Sequence, residues 1–124
     1  MKKKKNILCV CAQGLNRSHY LAKYLRNKGY KTKYGGIELS SPNPVNEFQV
    51  DWADIIIIVR KRLVSLVKKK FNLKGKKIIV IDVMDSPRLI PEQYAHLKLH
   101  DYLHFQKRWT YPQLRKAIKE YLPL

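Results

Sequence analysis

Residues 55 to 59 read Ile-Ile-Ile-Ile-Val, an unbroken β-branched run set between Asp54 and Arg60. Branching at Cβ favours the extended chain over the helix. A strand that is apolar on both of its faces has to be covered on both, and that is the condition of an interior strand in a parallel sheet. This one stretch therefore demands further strands beside it and helices above and below.

The rest of the chain supplies candidates for each. Lys5 to Cys11 ends in an apolar stretch that reads as a buried strand, and Lys77 to Val83 repeats the signature. Tyr30 to Tyr34 alternates as a strand does, and Gly35-Gly36 is expected to break it. Between these lie segments of helical period. Ser18 to Lys28 carries Leu21, Tyr24 and Leu25 at helical spacing and is closed by Gly29. The loop Ser40-Ser-Pro-Asn-Pro44 feeds a short helix from Val45 to about Trp52, with Asn43 as its expected cap. Arg60 to Phe71 reads as a helix with Leu63, Leu66 and Val67 inward. Met84 to Pro91 is a loop, Glu92 to about Phe105 is helical, and Pro112 opens a last helix whose buried face is Leu114, Ile118, Tyr121 and Leu122.

Strands alternating with helices imply right-handed βαβ units. The expected fold is α/β, an open four-stranded parallel sheet with helices on both faces, in a single domain spanning residues 1–124. Ligands of such sheets bind beyond the carboxyl ends of the strands. Cys11 to Arg17, the loop after Val59 and the loop after Val83 then share one rim.

Cys9 and Cys11 lie on the same side of one strand, a poor geometry for a disulfide, and no third cysteine exists. A reducing, cytoplasmic compartment is expected. The lysines at positions 2 to 5 resemble the start of a signal peptide, but the apolar run from Ile7 to Ala12 is short and leads into Gln-Gly, so export is not expected. No apolar run approaches membrane-span length. With 26 Lys and Arg against 9 Asp and Glu, the formal charge of +17 attracts anions over a distance set by salt.

The loop between the first strand and the first helix is Cys11-Ala-Gln-Gly-Leu-Asn-Arg17-Ser18. A short loop entering a helix turns successive backbone N–H groups inward, forming an anion-binding nest at the positive end of the helix. Arg17 adds a planar fork that grips two phosphate oxygens. A thiol at Cys11 feels the same dipoles and the same guanidinium, a setting that favours the nucleophilic thiolate. Ser18 at the helix entrance can donate its hydroxyl to that sulfur.

These residues resemble the phosphate-binding loop of the low-molecular-weight protein tyrosine phosphatases, Cys-x5-Arg-Ser close to the amino terminus, and in particular the small bacterial and archaeal branch. The similarity continues through Tyr34-Gly-Gly-Ile37, through Trp52-Ala-Asp-Ile-Ile-Ile-Ile-Val59 with Arg60-Lys-Arg62 behind it, and through Lys77-Ile-Ile-Val-Ile-Asp-Val-Met-Asp85. It covers roughly residues 5 to 92. The resemblance implies that Cys11 is the nucleophile of a phosphocysteine intermediate. It implies that Arg17 and the backbone of Ala12, Gln13, Gly14, Leu15, Asn16, Arg17 and Ser18 hold the phosphoryl oxygens. Ser18 tunes the thiolate, and Asp85 is the general acid, with Asp82 kept for a structural hydrogen bond. It implies a phosphorylated protein or a small phosphoester as substrate, with no cofactor and no metal. Three positions depart from the family: Gly14 stands where an asparagine often orients the loop, Asn16 where many members have a second cysteine, and Arg88 where a tyrosine usually follows the acid.

Rival readings are poorer in motifs. Arg60 to Arg62 with Arg108, Trp109 and Tyr111 would suit nucleic acid, and the positive surface equally suits an acidic partner, but no nucleic-acid module is recognisable. A thiol reductase would need more cysteines to relay a disulfide. A sugar-transport phosphocarrier would not require Arg17. A protein that binds phosphate or nucleic acid on this fold without turnover is the remaining alternative. His96, His100 and His104 recur at helical spacing beside Asp101, a pattern that can hold a metal but also arises on any amphipathic helix.

Overall fold

The computed structural model describes residues 5–84, 92–99 and 102–124. Its frame is one parallel sheet of β1 (Asn6–Cys11), β2 (Lys31–Gly36), β3 (Ile55–Ile58) and β4 (Lys77–Val80), in the order β2-β1-β3-β4. The helices are α1 (Arg17–Asn27), α2 (Glu47–Trp52), α3 (Val64–Lys70), a single turn α4 (Tyr102–Phe105) and α5 (Tyr111–Lys119). This is the α/β arrangement expected from the sequence.

The isoleucine run explains the layering. Ile55 to Ile58 are each no more than 1% exposed. Ile55 and Ile57 join Ile7, Cys9 and Ile79 on one face, beneath Leu21 and Leu25 of α1 and Leu114 and Ile118 of α5. Ile56 and Ile58 join Leu8 and Val10 on the other, beneath Val50 of α2 and Val67 of α3. The period of two along each strand thus sorts every second side chain to the opposite helix layer. Among the described residues no helix is long and apolar enough to cross a membrane.

Several local expectations are corrected. Gly35 and Gly36 do not break β2 but form its end, in register with Val10 and Cys11. The cap of α2 is Asn46, whose side chain accepts the Gln49 N–H at 2.9 Å while Gln49 Oε1 accepts the Asn46 N–H at 3.2 Å. Asn43 is used elsewhere. The helix expected from Arg60 is a 3₁₀ turn, Lys61–Leu63, followed by α3, and Leu66 is 39% exposed because the α3 stripe turns Leu63 and Val67 inward instead. Tyr121 is likewise 40% exposed, beyond the end of α5. Strand pairing ends at Val80, although Ile81 and Val83 still donate to Ile58 and Val59 at 2.9 Å each. Phe105, with Met84 and Trp109 packed against it, forms a third cluster separate from the two that cover the sheet.

Of the three spaced histidines, His96 lies in the 3₁₀ helix Glu92–Leu99 and His104 in α4. His100 and Asp101 lie outside the described residues. Among the described residues no group of three His, Cys, Asp or Glu is placed to hold a metal ion.

Truncating the centre of the double-sided strand leaves a cavity between two layers that cannot both collapse. Ile57→Ala is expected to cost about 2–5 kcal/mol, and Leu66→Ala less than about 1 kcal/mol, read as shifts of the urea midpoint.

Candidate active site

β1 sits between β2 and β3, so the loop leaving Cys11 emerges beside the segment leaving Gly36. That neighbour shapes it. The Cys11 and Ala12 carbonyls both accept the Ile37 N–H, at 3.0 and 3.1 Å, and Ala12 also accepts Glu38 N–H at 3.1 Å. The Ser41 hydroxyl donates to the Gln13 carbonyl at 2.7 Å, and the Asn43 side chain donates to the Gly14 carbonyl at 3.1 Å. Carbonyls 11 through 14 are thus all tied to the segment that follows β2. In a trans peptide the N–H points opposite to the carbonyl of the same unit. The N–H groups of residues 12 to 15 therefore turn away from that segment. One of them is captured in the act: Gly14 N–H donates to Cys11 Sγ at 3.1 Å.

Gly14 makes this turn possible. Its φ of +73° is in the left-handed region, and a Cβ there would lie 2.7 Å from the Asn43 carbonyl oxygen and from the Gly35 carbonyl carbon. Gly36 is needed for the reciprocal reason, since a Cβ on it would lie 2.5 Å from the Gln13 carbonyl carbon. The Gly-Gly pair that looked like a strand breaker is the landing surface for the loop.

The loop runs directly into α1. Asn16 is the helix N-cap, yet its side chain makes no capping bond, and the first turn contains no acidic residue. Its carboxamide instead donates to Gln106 Oε1 at 2.7 Å and accepts the Tyr111 hydroxyl at 2.8 Å. The positive end of α1 is thereby left without a side-chain cap, facing the loop.

Cys11 Sγ lies 3.1 Å from Ser18 Oγ, with Ser18 wholly buried. Arg17 is 6% exposed and donates from Nη1 to the Val83 carbonyl at 3.0 Å, which anchors the guanidinium on the strand exit beyond β4. Cys11, Ala12, Gln13, Leu15, Asn16 and Arg17 line one cavity of about 390 Å³. Gly14 and Ser18 are not part of this lining. Asp85 lies outside the described residues. Asp82 accepts the Lys61 N–H at 3.2 Å and pairs with Arg60 at 3.6 Å, bracing the turn after β3.

One lining residue, Glu38, was absent from the sequence reading, and another, Arg62, entered it only within the basic stretch Arg60 to Arg62. Glu38 and Arg62 complete the cavity wall and pair at 2.9 Å, and Gln13 Nε2 donates to the same Glu38 carboxylate at 3.2 Å. Asn43 and Ser41, which hold the loop, were read as a cap and a turn. Their signal was a run of short polar side chains able to bond a backbone, but only strand order shows whose backbone. Cys9 is fully buried, and burial first, then the neighbouring Cys11, push its thiol well above the usual range.

No family model and no curated protein matches this sequence. Solved structures do. The tyrosine phosphatase AmsI of Erwinia amylovora superposes with a TM-score of 0.67 at 14% identity, over 97% of this chain and 92% of that one. Wzb of Vibrio vulnificus, in complex with benzylphosphonate, gives 0.68 at 12%, over 96% and 97%. The YwlE arginine phosphatase of Geobacillus stearothermophilus gives 0.59 at 16%, over 94% and 92%. The chain has the fold of the low-molecular-weight protein tyrosine phosphatases, and the likeness runs through the carboxyl-terminal third that the sequence comparison left unmatched.

Iodoacetamide should carbamidomethylate Cys11 in the native protein at least about tenfold faster than Cys9, and inorganic phosphate should slow only the Cys11 reaction. Peptide mass spectrometry reads both rates. Gly14→Ala should remove this phosphate protection and cost about 1–3 kcal/mol of stability.

Proposed function

We propose that this protein is a cysteine-dependent phosphoester hydrolase, similar to the protein tyrosine phosphatases, in a single domain spanning residues 1–124. The observation that carries the reading is the Cys11 sulfur set among a loop N–H, the Ser18 hydroxyl and the uncapped end of α1, on a cavity that Arg17 also lines. These are donors and positive charge converging on the place where an anion would sit.

In the proposed first step the Cys11 thiolate attacks phosphorus and the phosphorus–oxygen ester bond breaks. Asp85 gives its proton to the departing oxygen. The phosphoryl group, now on sulfur, is held by Arg17 and the N–H groups turned inward by the carbonyl ties. In the second step water attacks phosphorus and passes its proton to the Asp85 carboxylate. The sulfur–phosphorus bond breaks, phosphate leaves, and the Ser18 hydroxyl donates to the regenerated thiolate. No step calls on a metal or cofactor. A phosphorylated protein or a small phosphoester serves as substrate, and the two free thiols suit a reducing cytoplasm.

Hydrolysis of p-nitrophenyl phosphate in chelator tests the reading, with phosphotyrosine and phosphoarginine peptides assayed beside it. Cys11→Ser should lower kcat at least about a thousandfold while phosphate still binds, and Arg17→Lys should lower kcat/KM by about a hundredfold. Asp85→Asn should slow poor leaving groups more than good ones. Equal turnover by Cys11→Ser and the parent protein would overturn the mechanism. Phosphate or vanadate binding with no turnover by the parent would support a binding protein on the same fold.

A further inference from the structure

Arg62 lines two hollows. One is the phosphate cavity, and the other is a groove of about 690 Å³ between α3 and the end of β4, bordered by Lys61, Arg62 and Lys68 over an apolar floor of Val80 and Ile81. Three cations face a single lining carboxylate, Asp82. That carboxylate is already held by the Lys61 N–H at 3.2 Å and by Arg60 at 3.6 Å. Among the described residues neither Lys61 nor Lys68 makes an ion pair, and both are exposed.

We infer that this groove is a substrate subsite that takes the acidic flank of a phosphorylated peptide whose phosphoryl group occupies the Cys11 cavity. The inference rests on the phosphatase reading and adds a substrate preference to it. Continuity through Arg62 means that a chain leaving the cavity on that side enters the groove directly. From Arg62 to Lys68 the helical path rises about 9 Å, and an extended peptide covers that distance in about three residues. Glutamate or aspartate two to three positions from the phosphorylated residue would therefore face Lys61 and Lys68, with the intervening side chains on Val80 and Ile81. Charge complementarity favours this occupant over a neutral or basic segment. The uniform field of so basic a protein would attract any anion, so the experiment has to separate local from global attraction.

Two phosphotyrosine peptides differing only in Glu or Gln at these flanking positions make the comparison. Lys61→Glu/Lys68→Glu should lower kcat/KM for the Glu peptide by about tenfold, through KM, and should affect the Gln peptide much less. Lys23→Glu/Lys31→Glu changes the net charge equally on α1 and β2, away from the groove, and should cost the Glu peptide less than about threefold. Equal losses from the two double variants, or equal reactivity of the two peptides with the parent protein, would overturn the proposal. Fluorescence anisotropy with phosphonate analogues of the same peptides gives a readout independent of turnover. If the parent hydrolyses neither peptide, yet binds the Glu phosphonate more tightly in a manner lost in Lys61→Glu/Lys68→Glu, the catalytic reading fails and the groove stands.

Discussion

The candidate site depends on where four consecutive carbonyl groups point. Those of Cys11, Ala12, Gln13 and Gly14 are bound by the segment that follows β2, through Ile37, Glu38, Ser41 and Asn43. Peptide planarity converts that outward tie into an inward array of N–H groups. Each bond contributes about 0.5–1.5 kcal/mol net, so the loop is held in an anion-receiving conformation before any anion arrives. Preorganisation of this kind matters because donors already aimed need no rearrangement when charge develops in the reaction.

The sheet order makes the tie possible. β1 has β2 on one side and β3 on the other, so its exit is flanked by segment 37–46 on one side and by Arg60 to Arg62 on the other. The first holds the loop by hydrogen bonds. The second contributes Arg62 to the wall, with Glu38 joining the two sides across the cavity at 2.9 Å. From the carboxyl-terminal third, Gln106 and Tyr111 take the carboxamide of Asn16, and Tyr111 stacks on Tyr20 of α1 with ring centroids 4.0 Å apart. A side chain that would ordinarily cap α1 is thereby drawn to the far end of the chain, and the helix end stays available to a ligand.

The departures at Gly14 and Asn16 from the family that the loop resembles acquire physical content from these contacts. Gly14 adopts positive φ without Cβ strain, and an amide that orients the loop comes from Asn43. Asn16 ties the loop to Gln106 and Tyr111. The loop is therefore braced from both sides, by the segment after β2 and by the carboxyl-terminal helices.

Much of this was legible in the sequence because it depends on period and on local chemistry. Five β-branched residues in succession required a doubly covered strand, alternation of strand and helix required parallel pairing, and Cys11, Gly14, Arg17 and Ser18 fell within eight residues of one another between a strand and a helix. What tertiary structure alone decided is which distant residues meet that loop. Asn43 carried the signature of a cap, Gly35-Gly36 that of a breaker, Arg62 that of a basic surface, and Glu38 none at all. Their roles follow from strand order and from the close packing of two backbones, and neither quantity is encoded in the spacing of residues along a single segment.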